Sequence, residues 1–219
     1  MTRIFLLVSL FFLLVSCGAE RIPAWKQNAA ADMNGFVQSS FTGNESYAAK
    51  YFDRMVEDFR MTVDPDEIVK AHLTRCVVQF ALLEYQDCAD VAELLPMLKN
   101  RENVKYYNFV TGKGGSPDNI PEKYGNISAF AQKCDTKKAN SELSSEKDPS
   151  TLLVKASFLF KSGCYNAETA GIAVDTASKE GWKKAALKYL ALQFAYYEKH
   201  GEQRKAELVK KRMELVISE

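Results

Sequence analysis

Apolar residues recur at helical spacing along most of the chain. Tyr47, Tyr51, Met55 and Phe59 lie four positions apart, which places them on one face of a helix. Other apolar stripes with helical spacing follow in the segments 65–85, 87–96 and 149–219. No segment shows the sustained two-residue alternation that is typical of a strand. The pattern therefore predicts an all-α fold class of antiparallel helical hairpins.

Residues that favour the start or the end of a helix divide these segments into separate helices. Asp64-Pro65 and Asp148-Pro149 each place a capping carboxylate before a proline, the combination preferred at a helix N-terminus. Single glycines, which favour the end of a helix, close the predicted helices of the last third of the chain: Gly163, Gly181 and Gly201. Short glycine turns favour antiparallel neighbours. The chain from 45 to 219 is therefore predicted to be one all-helical domain.

Two stretches depart from this pattern. Residues 17–44 show little periodicity, and we expect them to form the lipidated N-terminus and a tether, with "GFVQSSFTGNES" as a short helix or loop that leads into the domain. Residues 100–147 are the least regular part, because "TGKGGSPDN" has three glycines and a proline and predicts a loop. Within this region "NISAFAQKC" predicts a short helix and "KKANSELSSEKD" predicts a polar connector. An irregular loop region is therefore expected at about 100–147.

Two predicted hairpins, 149–180 and 182–218, resemble tetratricopeptide-type hairpins. Each pairs two helices of similar length around a tight turn, and the second helix carries alanines early. Such units stack because neither helix buries its apolar face alone. The W-x2-L-G-x2-Y arrangement of that family is missing, and Trp182 is followed by Lys-Lys-Ala. A tetratricopeptide-like solenoid and an irregular helical bundle therefore both stay open.

The first sixteen residues form a predicted signal peptide. A run of twelve residues, Ile4 to Val15, follows Arg3 and is apolar apart from Ser9. Spanning a bilayer takes about 20 apolar residues, so this run is too short for a transmembrane helix and fits the apolar core of an export signal. Export places the remaining chain outside the cytoplasm.

The end of this run is more specific. Leu14-Val15-Ser16-Cys17 resembles the lipobox of bacterial lipoproteins; an ordinary secretory signal with a chance cysteine is the alternative. The resemblance implies cleavage before Cys17, which becomes a diacylglyceryl-modified and N-acylated first residue, with palmitate-type chains. Several acyl chains anchor a protein far more firmly than one. We therefore expect the membrane, reached through this lipid anchor, to be one partner of the chain.

The residue after the cysteine indicates which membrane. In enterobacteria-like lipoproteins an Asp at this position retains the protein at the inner membrane, and here the residue is Gly18. The resemblance therefore implies the outer membrane, on the periplasmic side, and remains compatible with exposure at the cell surface.

Four cysteines remain once Cys17 is assigned to the anchor: Cys76, Cys88, Cys134 and Cys164. An even number in an exported protein favours disulfides. Three pairings are possible and the sequence does not choose among them. Buried free thiols are the alternative, because Cys76 lies on an apolar stripe.

The sequence lacks the residue patterns that are typical of several function classes. The cysteine spacings are too long for the pairs of a structural zinc site, and the only histidines are His72 and His200. Basic and acidic residues balance, 29 against 28, without the basic excess of a nucleic-acid binder. Lys113 lacks the spacing of a phosphate-binding loop. We therefore expect no metal, cofactor or nucleic-acid partner and no enzymatic activity.

The remaining hypothesis is a protein-interaction module in the cell envelope. Most aromatic residues at helical spacing are expected in the core, among them Tyr106, Tyr107, Phe109 and Tyr189. Tyr196 and Tyr197 are the exception, because adjacent helical positions cannot both point inward. They are the candidate contacts for an envelope protein partner. The alternative function is a carrier that binds a lipid or small molecule beside a transport system.

Overall fold

The computed structural model describes residues 22–217. Within that range the chain forms eleven α-helices and no strand, so the prediction of an all-α fold is confirmed. In chain order the helices are α1 Ala24–Thr42, α2 Glu45–Arg60, α3 Pro65–Ala81, α4 Ala89–Leu94, α5 Arg101–Thr111, α6 Gly125–Lys133, α7 Thr136–Ser145, α8 Pro149–Lys161, α9 Ala167–Lys179, α10 Lys183–Lys199 and α11 Gln203–Ile217. Short 3₁₀ turns lie at Leu95–Met97, Pro117–Asn119 and Glu122–Tyr124.

The predicted start signals work as expected. The Asp64 carboxylate accepts a hydrogen bond from the Asp66 N–H at the start of α3, and Asp148 accepts one from the Thr151 N–H at the start of α8. Each pair leaves a proline at the first helical position, where the missing N–H costs nothing. Gly163 and Gly201 adopt φ values of 73° and 72°, a left-handed conformation that glycine reaches without strain. The predicted hairpins, with these glycines at their turns, form as α8–α9 and α10–α11.

The stretch predicted as a tether, 17–44, is largely helical instead. Helix α1 occupies Ala24–Thr42 and packs along α2. Its buried stripe includes two polar residues, Asp32 and Ser40, beside Ala29, Phe36 and Phe41. Asp32 is satisfied by the Arg54 guanidinium of α2 at 3.1 Å. Asp32 and Ser40 interrupt the apolar spacing that would predict a helix from the sequence. The sequence alone does not show that the partner of Asp32 lies on another helix.

The region predicted as irregular, about 100–147, also contains more helix than expected. Helix α6 corresponds to the short helix predicted there, and "TGKGGSPDN" is a loop apart from one 3₁₀ turn. Helix α7 occupies the stretch predicted as a polar connector. Only Ala139, Asn140 and Leu143 of α7 are buried, so its apolar signal is too short to predict a helix from spacing.

A buried tyrosine joins three helices at the centre. Tyr189 of α10 is fully buried, and its hydroxyl lies 2.7 Å from the Ala81 carbonyl oxygen and 2.9 Å from the Leu153 carbonyl oxygen. Burial raises the pKa of Tyr189 well above its usual value, so the hydroxyl stays protonated and can donate. Tyr189, Tyr107 and Phe109 are all core residues, as predicted.

The first helix also packs against the tenth. Trp182, at the start of α10, is only 2% exposed. Its indole N–H donates a 2.6 Å hydrogen bond to Gln38 Oε1, and its ring lies 4.5 Å from the Phe41 ring. Early and late parts of the chain therefore meet.

The cysteines of the described chain pair as Cys76–Cys88 and Cys134–Cys164. The first disulfide ties α3 to the residue that precedes α4, with the two Cα atoms 6.0 Å apart. The second ties the end of α6 to the turn before α9, with the Cα atoms 5.1 Å apart. Disulfides are confirmed over free thiols, and this is one of the three pairings that the sequence leaves open.

Candidate functional site

The two candidate contact residues border one groove. Tyr196 and Tyr197 are half-buried, and their rings lie 6.2 Å apart. They line a depression of about 520 Å³ between α9, α10 and α11, which we name the α9–α11 groove. Its other lining residues are Asn166, Ala167, Glu168, Gly171, Ile172, Asp175, Gln193, Glu202 and Lys205.

The groove is built from matching helix faces. Glu168, Gly171, Ile172 and Asp175 follow the i, i+3, i+4, i+7 spacing of one face of α9. The α10 residues, Gln193 and the tyrosine pair, follow the same spacing opposite. The capping box of Asn166 and Thr169 begins α9 at the edge of the groove. Antiparallel packing of α9 on α10 therefore brings two periodic faces together.

Gln193 is the most unusual residue of the groove. It is 8% exposed, and its Nε2 donates a 3.3 Å hydrogen bond to the Ala167 carbonyl. Its Oε1 is buried and accepts no hydrogen bond from residues 22–217. Such an unsatisfied acceptor costs roughly 1–3 kcal/mol. A Cβ at position 171 would lie 3.3 Å from Gln193 Nε2, so Gly171 leaves the room that this side chain fills.

The charged groups of the groove are mainly acidic. Glu168, Asp175 and Glu202 contribute three carboxylates, against the single ammonium of Lys205. Glu202 and Lys205 form an ion pair, and this interaction raises the pKa of Lys205. Asp175 is exposed, and Arg212 Nη2 lies 4.0 Å from one of its oxygens. The groove therefore offers hydrogen-bond acceptors and negative charge.

Aromatic faces complete the surface. Lys205 Nζ lies 5.3 Å from the centre of the Tyr197 ring, so this ring already accepts a cation on its face. Tyr196 stacks on His200, with ring centres 4.0 Å apart. A groove with carboxylates and tyrosine faces suits a cationic donor group such as a lysine or arginine side chain.

Sequence reasoning identified the two tyrosines and missed their surroundings. Gln193 looks like a solvated residue of α10, and Glu168 and Asp175 look like a solvated face of α9. The available signal is the run E-x-x-G-I-x-x-D from Glu168 to Asp175, in which a helix-disfavouring glycine lies on the same face as two carboxylates.

The other sequence-predicted features lie elsewhere. The signal peptide and the Cys17 lipidation site fall outside the described residues. None of the helices between residues 22 and 217 combines the length and hydrophobicity that crossing a bilayer requires. In the same range no group of three or more His, Cys, Asp or Glu side chains is arranged to hold a metal ion.

No family model, curated protein or solved structure matches the chain. The arguments about function therefore depend on the residues and on their geometry.

Proposed function

We propose that the protein is a lipid-anchored envelope protein whose α9–α11 groove binds a cationic segment of a partner protein. The observation that carries the proposal is a groove lined by three carboxylates and two tyrosines against a single ammonium. The acidic rim accelerates the encounter and selects against acidic segments.

The lipobox-like sequence around Cys17 supports the cellular location in this proposal. The anchor holds the chain at the outer membrane with the helical domain in the aqueous space beside it. The tetratricopeptide-like hairpins α8–α9 and α10–α11 supply a rigid surface for recognition. No step of bond making or breaking belongs to this function.

The proposal is tested by photo-crosslinking in intact cells with the full chain. A photoreactive phenylalanine analogue replaces Ile172 inside the groove, and a matched probe replaces Met97, an exposed residue outside it. We expect one envelope protein to crosslink at 172 and not at 97. Mass spectrometry should place the link within a few residues of a lysine or arginine of that protein.

Variants make this test specific. The double charge reversal E168K/D175K should weaken capture at least tenfold, and Y197A should weaken it to a smaller extent. C17A should abolish capture if membrane tethering brings the two proteins together. Equal crosslinking from 172 and 97, or capture that survives the charge reversal, would contradict the proposal.

A further inference from the structure

A second cavity shares no lining residue with the α9–α11 groove, and it has the opposite chemistry. It has a volume of about 320 Å³ and opens between α1, α3, α5 and α8. Most of its wall is aliphatic or aromatic: Met33, Val37, Phe41, Leu73, Val77, Val78, Tyr106 and Val154. Its polar members are Lys70, Thr74, Asn103, Lys123 and Ser150. We name it the apolar cavity.

The polar members gather at one end. The Asn103 side-chain amide donates to the Asp66 carbonyl, so the starts of α3 and α5 lie together. Lys123 Nζ lies 5.3 Å from the centre of the Tyr106 ring on α5. Ser150, in the first turn of α8, also lines the cavity. The first turns of three helices therefore surround this end.

The opposite end is apolar. Phe41 and Val78 lie near the ends of α1 and α3, where Phe41 packs against Trp182. From Lys70 to Val78 the helix advances about 12 Å. This distance suits the extended length of a medium-chain acyl group.

The charges that line the cavity are all positive. Lys70 is already paired with Glu67 at 2.6 Å. Lys123 is exposed and stacks over the Tyr106 and Tyr124 rings, and it forms no ion pair within residues 22–217. An anion at this end gains a charge-assisted hydrogen bond from Lys123 without displacing a carboxylate.

We propose that the apolar cavity binds a medium-chain fatty acid. The carboxylate lies at the end bounded by Lys70 and Lys123, and the tail extends along α3 towards Val78. The cavity volume falls at the lower end of the range for small-molecule sites, which are mostly apolar with a few placed polar groups. This site is separate from the α9–α11 groove and does not depend on the function proposed for it.

The test uses the full chain in lipid nanodiscs and a dodecanoate analogue that carries a diazirine on its tail. We expect photolabelling of peptides that contain Val37, Val77 or Val154, and competition by unlabelled dodecanoate. Dodecanol, which keeps the tail and lacks the charge, should compete at least about tenfold more weakly. Labelling spread over the exposed surface would overturn the proposal.

Two variants and a control separate the head site from the tail site. K123Q should raise the dodecanoate concentration for half-competition about tenfold, with little effect on folding because Lys123 makes only ring contacts. V77W fills the cavity and should abolish labelling. K188Q removes a lysine outside the cavity and should change nothing. Dodecanoate binding that is equal in all three variants would overturn the proposal, whatever the outcome at the α9–α11 groove.

Discussion

Gln193 and Lys155 are both buried polar side chains, yet only one is fully paired. Lys155 of α8 is 5% exposed, and its ammonium donates to Glu142 at 2.7 Å and to Glu146 at 2.8 Å. Burial alone would lower the pKa of Lys155, but the two carboxylates outweigh it and raise that pKa. Burial likewise opposes the ionised form of Glu146, and the hydrogen bond from Lys155 lowers its pKa. The Lys155 cluster is therefore structural, whereas Gln193 keeps a buried acceptor without a partner among the described residues.

The Lys155 cluster predicts a pH-dependent stability. Replacing Lys155 by Met leaves two half-buried carboxylates without a cation, which should cost about 3–5 kcal/mol of unfolding free energy at pH 7. The lowered pKa of Glu146 means that its contribution is present above the unfolded value of 4.5 and is lost as the pH falls through the folded pKa. The difference between wild type and K155M should therefore shrink once the pH falls below about 4.5, and it should be smaller at pH 3 than at pH 7. Urea unfolding at both values measures it.

K147M is the matched control for this prediction. Lys147 is exposed on the same connection and makes no side-chain ion pair within the described chain, so its loss should change stability by less than about 0.5 kcal/mol. A K155M deficit that stays constant from pH 7 to pH 3 would show that lost packing, rather than charge pairing, accounts for its cost.

At the scale of helices, the two disulfides differ in how accessible their sulfur atoms are to a reducing thiol. Cys76 and Cys88 are both buried, each 7% exposed, whereas Cys134 is an exposed residue. Thiol–disulfide exchange requires access to a sulfur atom. Although Cys164 is buried, the Cys134–Cys164 bridge therefore offers the easier point of attack.

We predict that mild reduction of the native protein opens Cys134–Cys164 before Cys76–Cys88. Alkylation during a dithiothreitol titration, followed by peptide mass spectrometry, gives the order. The C134S/C164S variant should lose roughly 3–4 kcal/mol of stability, because this bridge closes a chain separation of 30 residues. Simultaneous reduction of both bridges would mean that opening requires global unfolding.

Helices were predictable from sequence where their stripe is purely apolar or their caps are explicit, as in α3 and α8. Helix α1 was not, because Asp32 and Ser40 interrupt its buried stripe and only the fold supplies the Arg54 partner. Only part of the α9–α11 groove was predictable, because its residues lie on helices whose packing the sequence does not show. An adjacent tyrosine pair on one helix signals surface, but the carboxylates of α9 acquire a role only when α10 packs opposite them.

At the scale of the whole molecule, the contact of α1 with α10 joins an early and a late part of the chain. Trp182 joins them through its hydrogen bond to Gln38 and its contact with Phe41. Trp25 lies near the other end of α1, where it packs edge-to-face on Phe59. The two tryptophans of the chain thus occupy different contacts of the same helix.

We predict that W182F weakens the docking of α1 as a unit. It keeps a ring against Phe41 and loses the indole N–H donor, at a cost of about 1 kcal/mol. Hydrogen exchange of the α1 amides should accelerate severalfold, while exchange in α7 stays unchanged. W25F should affect only the first turns of α1. Equal acceleration over all helices in W182F would contradict a localised role.

The docking of α1 on α10 also limits how such a chain can grow during evolution. An open row of hairpins lengthens by duplication, since each new unit meets only its neighbours. Here a hairpin inserted between α1 and α10 would separate Gln38 from Trp182 and expose both surfaces to water. The α1–α10 contact therefore fixes the number of helices between Gln38 and Trp182, and new units are tolerated where they leave this contact intact.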